Sequence, residues 1–130
     1  MTEPLVLYHI PDPEKAKLIT DLCRSLHFKT KPVTPQDSGK TVGALCGIPA
    51  KTAAPMALQP ELPELLIFSG LQSEGLDLFL AAYRKAGIPP VALKAVVTPH
   101  NKDWSLSALA AELQQERAAM LLKRQTTPNT

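Results

Sequence analysis

Cysteine is scarce in this chain, which has two, Cys23 and Cys46, among 130 residues. Two isolated cysteines form neither a disulfide framework nor a Cys-x-x-Cys pair. Cys23 falls on the apolar face of a predicted helix, where free thiols are commonly buried, so we expect it in the core. A chain of this length does not need a disulfide staple, because folding can bury roughly two-thirds of its unfolded surface.

Long apolar runs and a strong net charge are also lacking. No stretch approaches the roughly 18 to 20 apolar residues that span a bilayer, and the N-terminal segment lacks the basic region of a signal peptide. A net charge of +2 is too small to indicate an anionic membrane or a nucleic acid as the partner. We therefore expect a cytoplasmic protein, with nucleic-acid binding the least favoured function.

Familiar catalytic motifs are missing as well. The chain has no Ser-His-Asp, paired-carboxylate or Gly-x-Gly-x-x-Gly arrangement, and we expect no cofactor or metal. Ser38-Gly39-Lys40-Thr41 resembles the end of a phosphate-binding loop, but Thr34 stands where that motif requires glycine. We predict an ordinary turn at this point.

What the sequence does contain is an alternation of strand-favouring runs and amphipathic segments. The strand-favouring runs lie at 5–10, 28–34, 65–70 and 91–98. Helical spacing of apolar residues predicts helices over 13–27 and 75–86, a brief helix at 41–46 and a long helix after the last strand.

Local residues predict where these helices begin and end. Asp12 is an N-cap residue, and Ser69 with Gln72 has the spacing of a capping box. Gly47 and Gly87 are expected to close the helices that precede them. The final helix, capped by Asp103 or Ser105, is predicted to carry its apolar face on Leu106, Leu109, Ala110, Leu113, Met120 and Leu121.

The two parts of the chain resemble each other at a shift of 64 residues. Val33-Thr34-Pro35 and Thr41–Leu45 correspond to Val97-Thr98-Pro99 and Ser105–Leu109, with five of the eight positions identical. We therefore predict an internal duplication. The single domain, 1–122, would contain a first half (1–47), a proline-rich connector (48–63) and a second half (64–122), followed by a disordered tail (123–130).

The topology follows from the repeated unit. A strand–helix–strand unit makes its two strands parallel, so two such units predict an α/β fold with one four-stranded sheet and helices packed on it. The runs at 28–34 and 91–98 contain lysine or proline, which are tolerated at sheet edges. The runs at 5–10 and 65–70 contain neither, which predicts the strand order 2-1-3-4. The sequence leaves open whether the central strands are parallel or antiparallel.

The segment Thr98–Trp104 concentrates polar groups between a strand end and a helix start, where ligands bind in open α/β sheets. The candidate ligand-binding residues in and around it are Lys94, Thr98, His100, Asn101, Lys102, Trp104 and Glu112. The alternative is structural: Thr98 and Asn101 would tie down the turn, and Trp104 would pack the helix start against the core. Lys94 would then lie along the sheet, with its ammonium group in water or paired with Glu112.

A second candidate site joins three distant residues. If the central strands are parallel, His9 and Glu74 lie near His100, and the three could form an acid–base or metal cluster. The sequence has no His-x-x-x-His or comparable pair of metal ligands. This cluster therefore depends on the direction of the central strands.

The second half resembles a known family. The residues that carry the resemblance are Phe68-Ser69-Gly70, Leu76-Asp77, Lys94–Thr98, Asn101, Trp104, Leu109 and Glu112. They are similar to the pattern of the domain of unknown function 3783 family, a group of small bacterial proteins. The resemblance covers residues 64–120 and implies no activity, substrate or cofactor.

A well-patterned core without a coherent catalytic set favours a small binding or regulatory interaction domain without catalytic activity. Such a domain could form a homodimer or bind a protein partner through a helix face or a sheet edge. The alternative is a small enzyme, or an anion- or metabolite-binding protein, that uses His9 and the Thr98–Trp104 segment.

Overall fold

The computed structural model describes residues 4–37, 39–48 and 62–126, with side chains up to residue 122. Over these ranges the chain forms β1 (Leu5–His9), α1 (Pro13–Ser25), β2 (Lys29–Pro32), a 3₁₀ turn (Pro35–Asp37), α2 (Val42–Leu45), β3 (Leu65–Ser69), α3 (Ser73–Lys85), β4 (Leu93–Val96) and α4 (Leu106–Thr126). The strands form one sheet in the order β2-β1-β3-β4. The predicted α/β class and strand order are confirmed.

The two halves of the sheet run in opposite directions. β1 is parallel to β2, and β3 is parallel to β4. The central strands β1 and β3 are antiparallel, with Leu5 opposite Ser69 and His9 opposite Leu65. As a result, β1 and β2 end at one end of the sheet, and β3 and β4 end at the other.

Both faces of the sheet are covered, and each has its own apolar core. Successive residues of a strand point to opposite faces, so Leu66 faces α1 and α3 while Ile67 faces α2 and α4. In the core between the sheet and helices α1 and α3, Phe79 of α3 packs edge-on against Phe68. Cys23 of α1 is fully buried there, as predicted.

Most of the predicted helix ends are confirmed. The Asp12 carboxylate accepts a hydrogen bond from the Glu14 N–H at 3.0 Å, and Gly47 and Gly87 follow their helices with φ of 75° and 71°. The predicted capping box at Ser69 is wrong. Ser69 is the last, buried residue of β3, and α3 begins four residues later, at Ser73, without a side-chain cap.

The predicted connector and tail fall mainly outside the described residues. Of the connector 48–63, residues 49–61 lie outside them, and Leu62 is buried in the core beside α4. α4 continues to Thr126, so the helix extends over the first four residues of the predicted tail 123–130. Residues 127–130 lie outside the described ranges.

In the part of the chain that the structure describes, no helix is both long and apolar enough to cross a membrane.

Candidate functional site

The Thr98–Trp104 segment forms a turn that its own side chains hold together. Asn101 Oδ1 accepts a hydrogen bond from the Thr98 N–H at 2.8 Å, and Asn101 Nδ2 donates to the Val96 carbonyl at 3.0 Å. The Thr98 hydroxyl in turn accepts from the Asn101 N–H at 3.1 Å. These hydrogen bonds hold the turn in place, as the structural alternative predicted for Thr98 and Asn101.

The backbone of the same turn is joined to the first half of the chain. The carbonyls of Lys102 and Trp104 accept from the N–H groups of Gly43 and Val42, at 2.8 and 2.9 Å. The Trp104 side chain is half-buried against the core beneath α4, as the structural alternative predicted. Exposed His100 packs edge-on against Trp104, with 5.3 Å between the ring centroids.

A matching turn lies 64 residues earlier. The Asp37 carboxylate accepts from the Thr34 N–H at 2.9 Å and forms an ion pair with Lys40 at 2.9 Å. Burial alone would raise the pKa of Asp37, but these hydrogen bonds and the charge of Lys40 hold that pKa below its usual value. Lys40, from the loop that resembles a phosphate-binding motif, therefore forms its ion pair inside the predicted turn. Ser38 of that motif lies outside the described residues.

The three-residue cluster does not assemble. His9 lies opposite Leu65, the first residue of β3, and its Nδ1 is 2.9 Å from the Val33 carbonyl oxygen. His100 follows the far end of β4, which is parallel to β3. Because the central strands are antiparallel, His9 and His100 are at opposite ends of the sheet. No group of three His, Cys, Asp or Glu side chains within the described ranges could hold a metal ion.

Lys94 and Glu112 are separated by the sheet. Lys94 lies beside Leu66, whose side chain faces α1 and α3, whereas α4, which carries Glu112, packs on the opposite face through Leu109. The ammonium group of Lys94 donates to the Val91 carbonyl at 2.8 Å. Of the two placements predicted for this ammonium group, in water or paired with Glu112, the pairing is wrong; Lys94 is exposed and belongs to a different surface from the Thr98–Trp104 turn.

The C-terminal half of α4 forms an exposed surface that the sequence did not predict. Residues 114–122 are all exposed, and Met120 and Leu121 are 62% and 42% accessible. Their predicted place on the core face is wrong for a geometric reason. The 21 residues of α4 span about 31 Å, whereas the four residues of β4 beneath it span only about 13 Å. The missed signal was the difference in length between this helix and its strand.

Taken together, the fold and the turns define a small α/β protein with a mixed four-stranded sheet. Residues 64–120, from the residue before β3 into the exposed half of α4, match the model of a family described as Domain of unknown function (DUF3783). The predicted resemblance over the second half is confirmed. Comparison with curated proteins and with solved structures gave no match.

Proposed function

We propose that this protein is a small cytoplasmic binding or regulatory domain without catalytic activity, which contacts a protein partner through the exposed half of α4. The observation that carries the proposal is the accessibility of Met120 and Leu121 on a helix that has passed the end of its strand. Exposed apolar patches on folded domains mark interaction sites more often than other surface does.

The energetics of the helix support a partner. Isolated helices are marginal in water, and most helical stability in proteins comes from packing an apolar face. The first turns of α4 have this packing, since Leu106, Leu109 and Ala110 are buried. A partner that covers Met120 and Leu121 would give the second half of the helix the packing that the sheet gives the first.

The partner we propose is a second copy of the chain. Glu116 and Arg117 are adjacent and exposed on this surface, so it carries both charges, as suits a self-complementary two-fold interface. A groove of about 390 Å³ lies beside the helix, lined in part by Pro63, Ala92 and Leu121. The α4 helix of the second copy would lie in this groove with its own apolar side chains.

The sheet edges are less suited to dimerisation. β2 and β4 have four residues each, and short edge strands pair poorly with another chain. Pro32 removes a hydrogen-bond donor from β2, and lysines occur on both edges, among them Lys31 and Lys94. The sequence left two dimer surfaces open, a helix face and a sheet edge. These properties of the edge strands favour the helix face.

Sedimentation velocity over a concentration series tests the proposal on the full chain. We expect a reversible monomer–dimer equilibrium, in which Met120→Glu weakens the dimer at least about tenfold because the new charge would be desolvated in the interface. Gln115→Glu adds the same charge at an exposed position of the same helix and should leave the equilibrium unchanged. A chain that stays monomeric, or equal effects of the two variants, would overturn the second-copy proposal.

The alternative, an enzyme or metabolite-binding protein that uses His9 together with the Thr98–Trp104 turn, has weaker support. A ligand of ordinary size would have to reach both ends of the sheet. A ligand-bound structure in which one small molecule contacts both His9 and His100 would reinstate it.

We also infer that the two halves descend from one duplicated unit. The equivalent pairs Thr34–Asp37 and Thr98–Asn101 make the same backbone-to-side-chain hydrogen bond. A family member that contains only the second half provides the test. The expected structure is a two-fold dimer with β3 paired to its own copy, and a different sheet order would contradict the inference.

A further inference from the structure

The loop between α3 and β4 is clamped by side chains from three different elements. Its consecutive carbonyls at Pro89, Pro90 and Val91 accept hydrogen bonds from the Tyr83 hydroxyl, the Lys15 ammonium and the Lys94 ammonium. Burial, together with the charge of Glu64, raises the pKa of Tyr83 to about 12, so its hydroxyl remains a donor even at a pH where an ordinary tyrosine ionises. The loop is therefore held in one position before any ligand arrives, which lowers the entropic cost of binding.

This loop forms one wall of a cavity of about 570 Å³ on the α1/α3 face of the sheet. Leu66, Phe79 and Ile88 line the cavity and are buried. The volume lies within the range of sites that enclose small organic ligands, which are mostly apolar with a few placed polar groups. The cavity could not be recognised from the sequence, because the residues that build and clamp it lie as far apart as Lys15 and Lys94.

Two cationic side chains, Arg84 and Lys94, also line the cavity. Nearby Lys15 is neutralised by Glu64, whose carboxylate oxygen is 2.8 Å from the ammonium nitrogen. Among the described residues, no carboxylate lies within ion-pair distance of Arg84 or Lys94. Arg84 offers a planar fork of donors that matches a carboxylate, and Lys94 has two N–H donors beyond the one it gives to Val91.

We infer that this cavity binds a small carboxylate with an apolar body, aliphatic or aromatic. The apolar body would lie on Leu66, Phe79 and Ile88, and the carboxylate would bind Arg84 and Lys94. The cavity is a different site from the proposed dimer surface, because the cavity lies on the α1/α3 face of the sheet and α4 lies on the other face. It also differs from the strand-end site that the sequence indicated.

Isothermal titration calorimetry of the full chain tests the ligand class with four probes. Naphthalene-2-carboxylate and decanoate are carboxylates with an aromatic and an aliphatic body. Naphthalen-2-ylmethanol is the uncharged analogue of the naphthalene acid, and acetate carries the carboxylate without a large apolar body. We expect one molecule of one or both of the larger carboxylates per chain, with binding at least about tenfold tighter than that of the neutral alcohol or acetate. Absence of binding by both larger carboxylates, or equal binding of the naphthalene acid and alcohol, would overturn the inference.

Matched variants locate the site on the molecule. Arg84→Gln should weaken carboxylate binding about tenfold, whereas Lys85→Gln, an equal change of charge at the next exposed position, should not alter it. Leu80→Trp places a larger side chain in the cavity lining and should abolish binding, whereas Leu78→Trp at a 55% exposed position outside the lining should leave it unchanged. The thermal midpoint of each variant checks its folding. Folded Arg84→Gln and Leu80→Trp variants that bind like the wild type would refute the assignment.

Discussion

Thr41 and Ser105 lie opposite each other in an isolated antiparallel bridge, and each hydroxyl caps the helix that follows it. The Thr41 hydroxyl accepts from the Ala44 N–H at 3.3 Å, and the Ser105 hydroxyl accepts from the Ala108 N–H at 3.1 Å. Backbone hydrogen bonds of 2.9 Å flank the bridge on both sides. The starts of α2 and α4 are thereby joined, and with them the two halves of the chain.

Loss of either cap should destabilise the protein. We expect Thr41→Val, which keeps the size of the side chain, and Ser105→Ala each to lower the free energy of unfolding by about 1 kcal/mol, because an N–H group in the first turn of the helix loses its acceptor. Urea denaturation gives the values. Thr41→Ser retains the hydroxyl and should cost less than half as much. If it costs as much as Thr41→Val, the cap is not the source of the stability.

Asn101 should contribute through two separable hydrogen bonds. Asn101→Ala removes the acceptor for the Thr98 N–H and the donor to the Val96 carbonyl, and should cost about 1–2 kcal/mol of unfolding free energy. Asn101→Asp keeps the acceptor, as Asp37 does in the first half, and should cost less. Equal losses in chemical denaturation would show that the acceptor contributes nothing.

The ion pair between Lys15, which is buried, and Glu64, which is half-buried, should respond asymmetrically to removal of one partner. Glu64→Ala leaves a buried ammonium with the Pro90 carbonyl as its remaining acceptor and should cost about 2 kcal/mol. Lys15→Met keeps an apolar stem, and the 33% exposed Glu64 side chain can be hydrated, so we expect about 1 kcal/mol. Thermal unfolding of both variants at low salt gives the comparison. A larger loss for Lys15→Met would contradict this reasoning.

The buried thiol of Cys23 should make the protein sensitive to alkali. Burial raises its pKa from 9.0 to about 11, so the folded state holds this proton more tightly than the unfolded state does. The associated stability is complete below pH 9 and is lost as the pH rises toward 11, up to roughly 2–3 kcal/mol.

Denaturation experiments between pH 8.5 and 10 measure the contribution of Cys23 to the free energy of unfolding. Tyr83 contributes little in this range, because its ordinary pKa is 10.0. The Cys23→Ala variant should be less stable at pH 7, because it leaves a small cavity. Its stability should nevertheless fall less steeply with pH than that of the wild type. Parallel pH profiles would contradict the assignment to Cys23.

Local chemistry was predictable where neighbours in sequence are also neighbours in space. The Asp12 cap and the Thr98–Asn101 turn depend on residues at most three positions apart, so their hydrogen bonds follow from residue type and spacing. The burial of Met120 was not predictable, because it depends on how far the sheet extends beneath α4.

The sequence by itself determined the order of the elements, the parallel pairing within each half and the placement of β2 and β4 at the edges. Only the tertiary structure decided that β1 and β3 are antiparallel. Backbone groups make the pairing hydrogen bonds in either direction, and the alternation of apolar side chains serves both faces equally well. That choice separates His9 from His100, and it accompanies the bridge that brings Thr41 and Ser105 together.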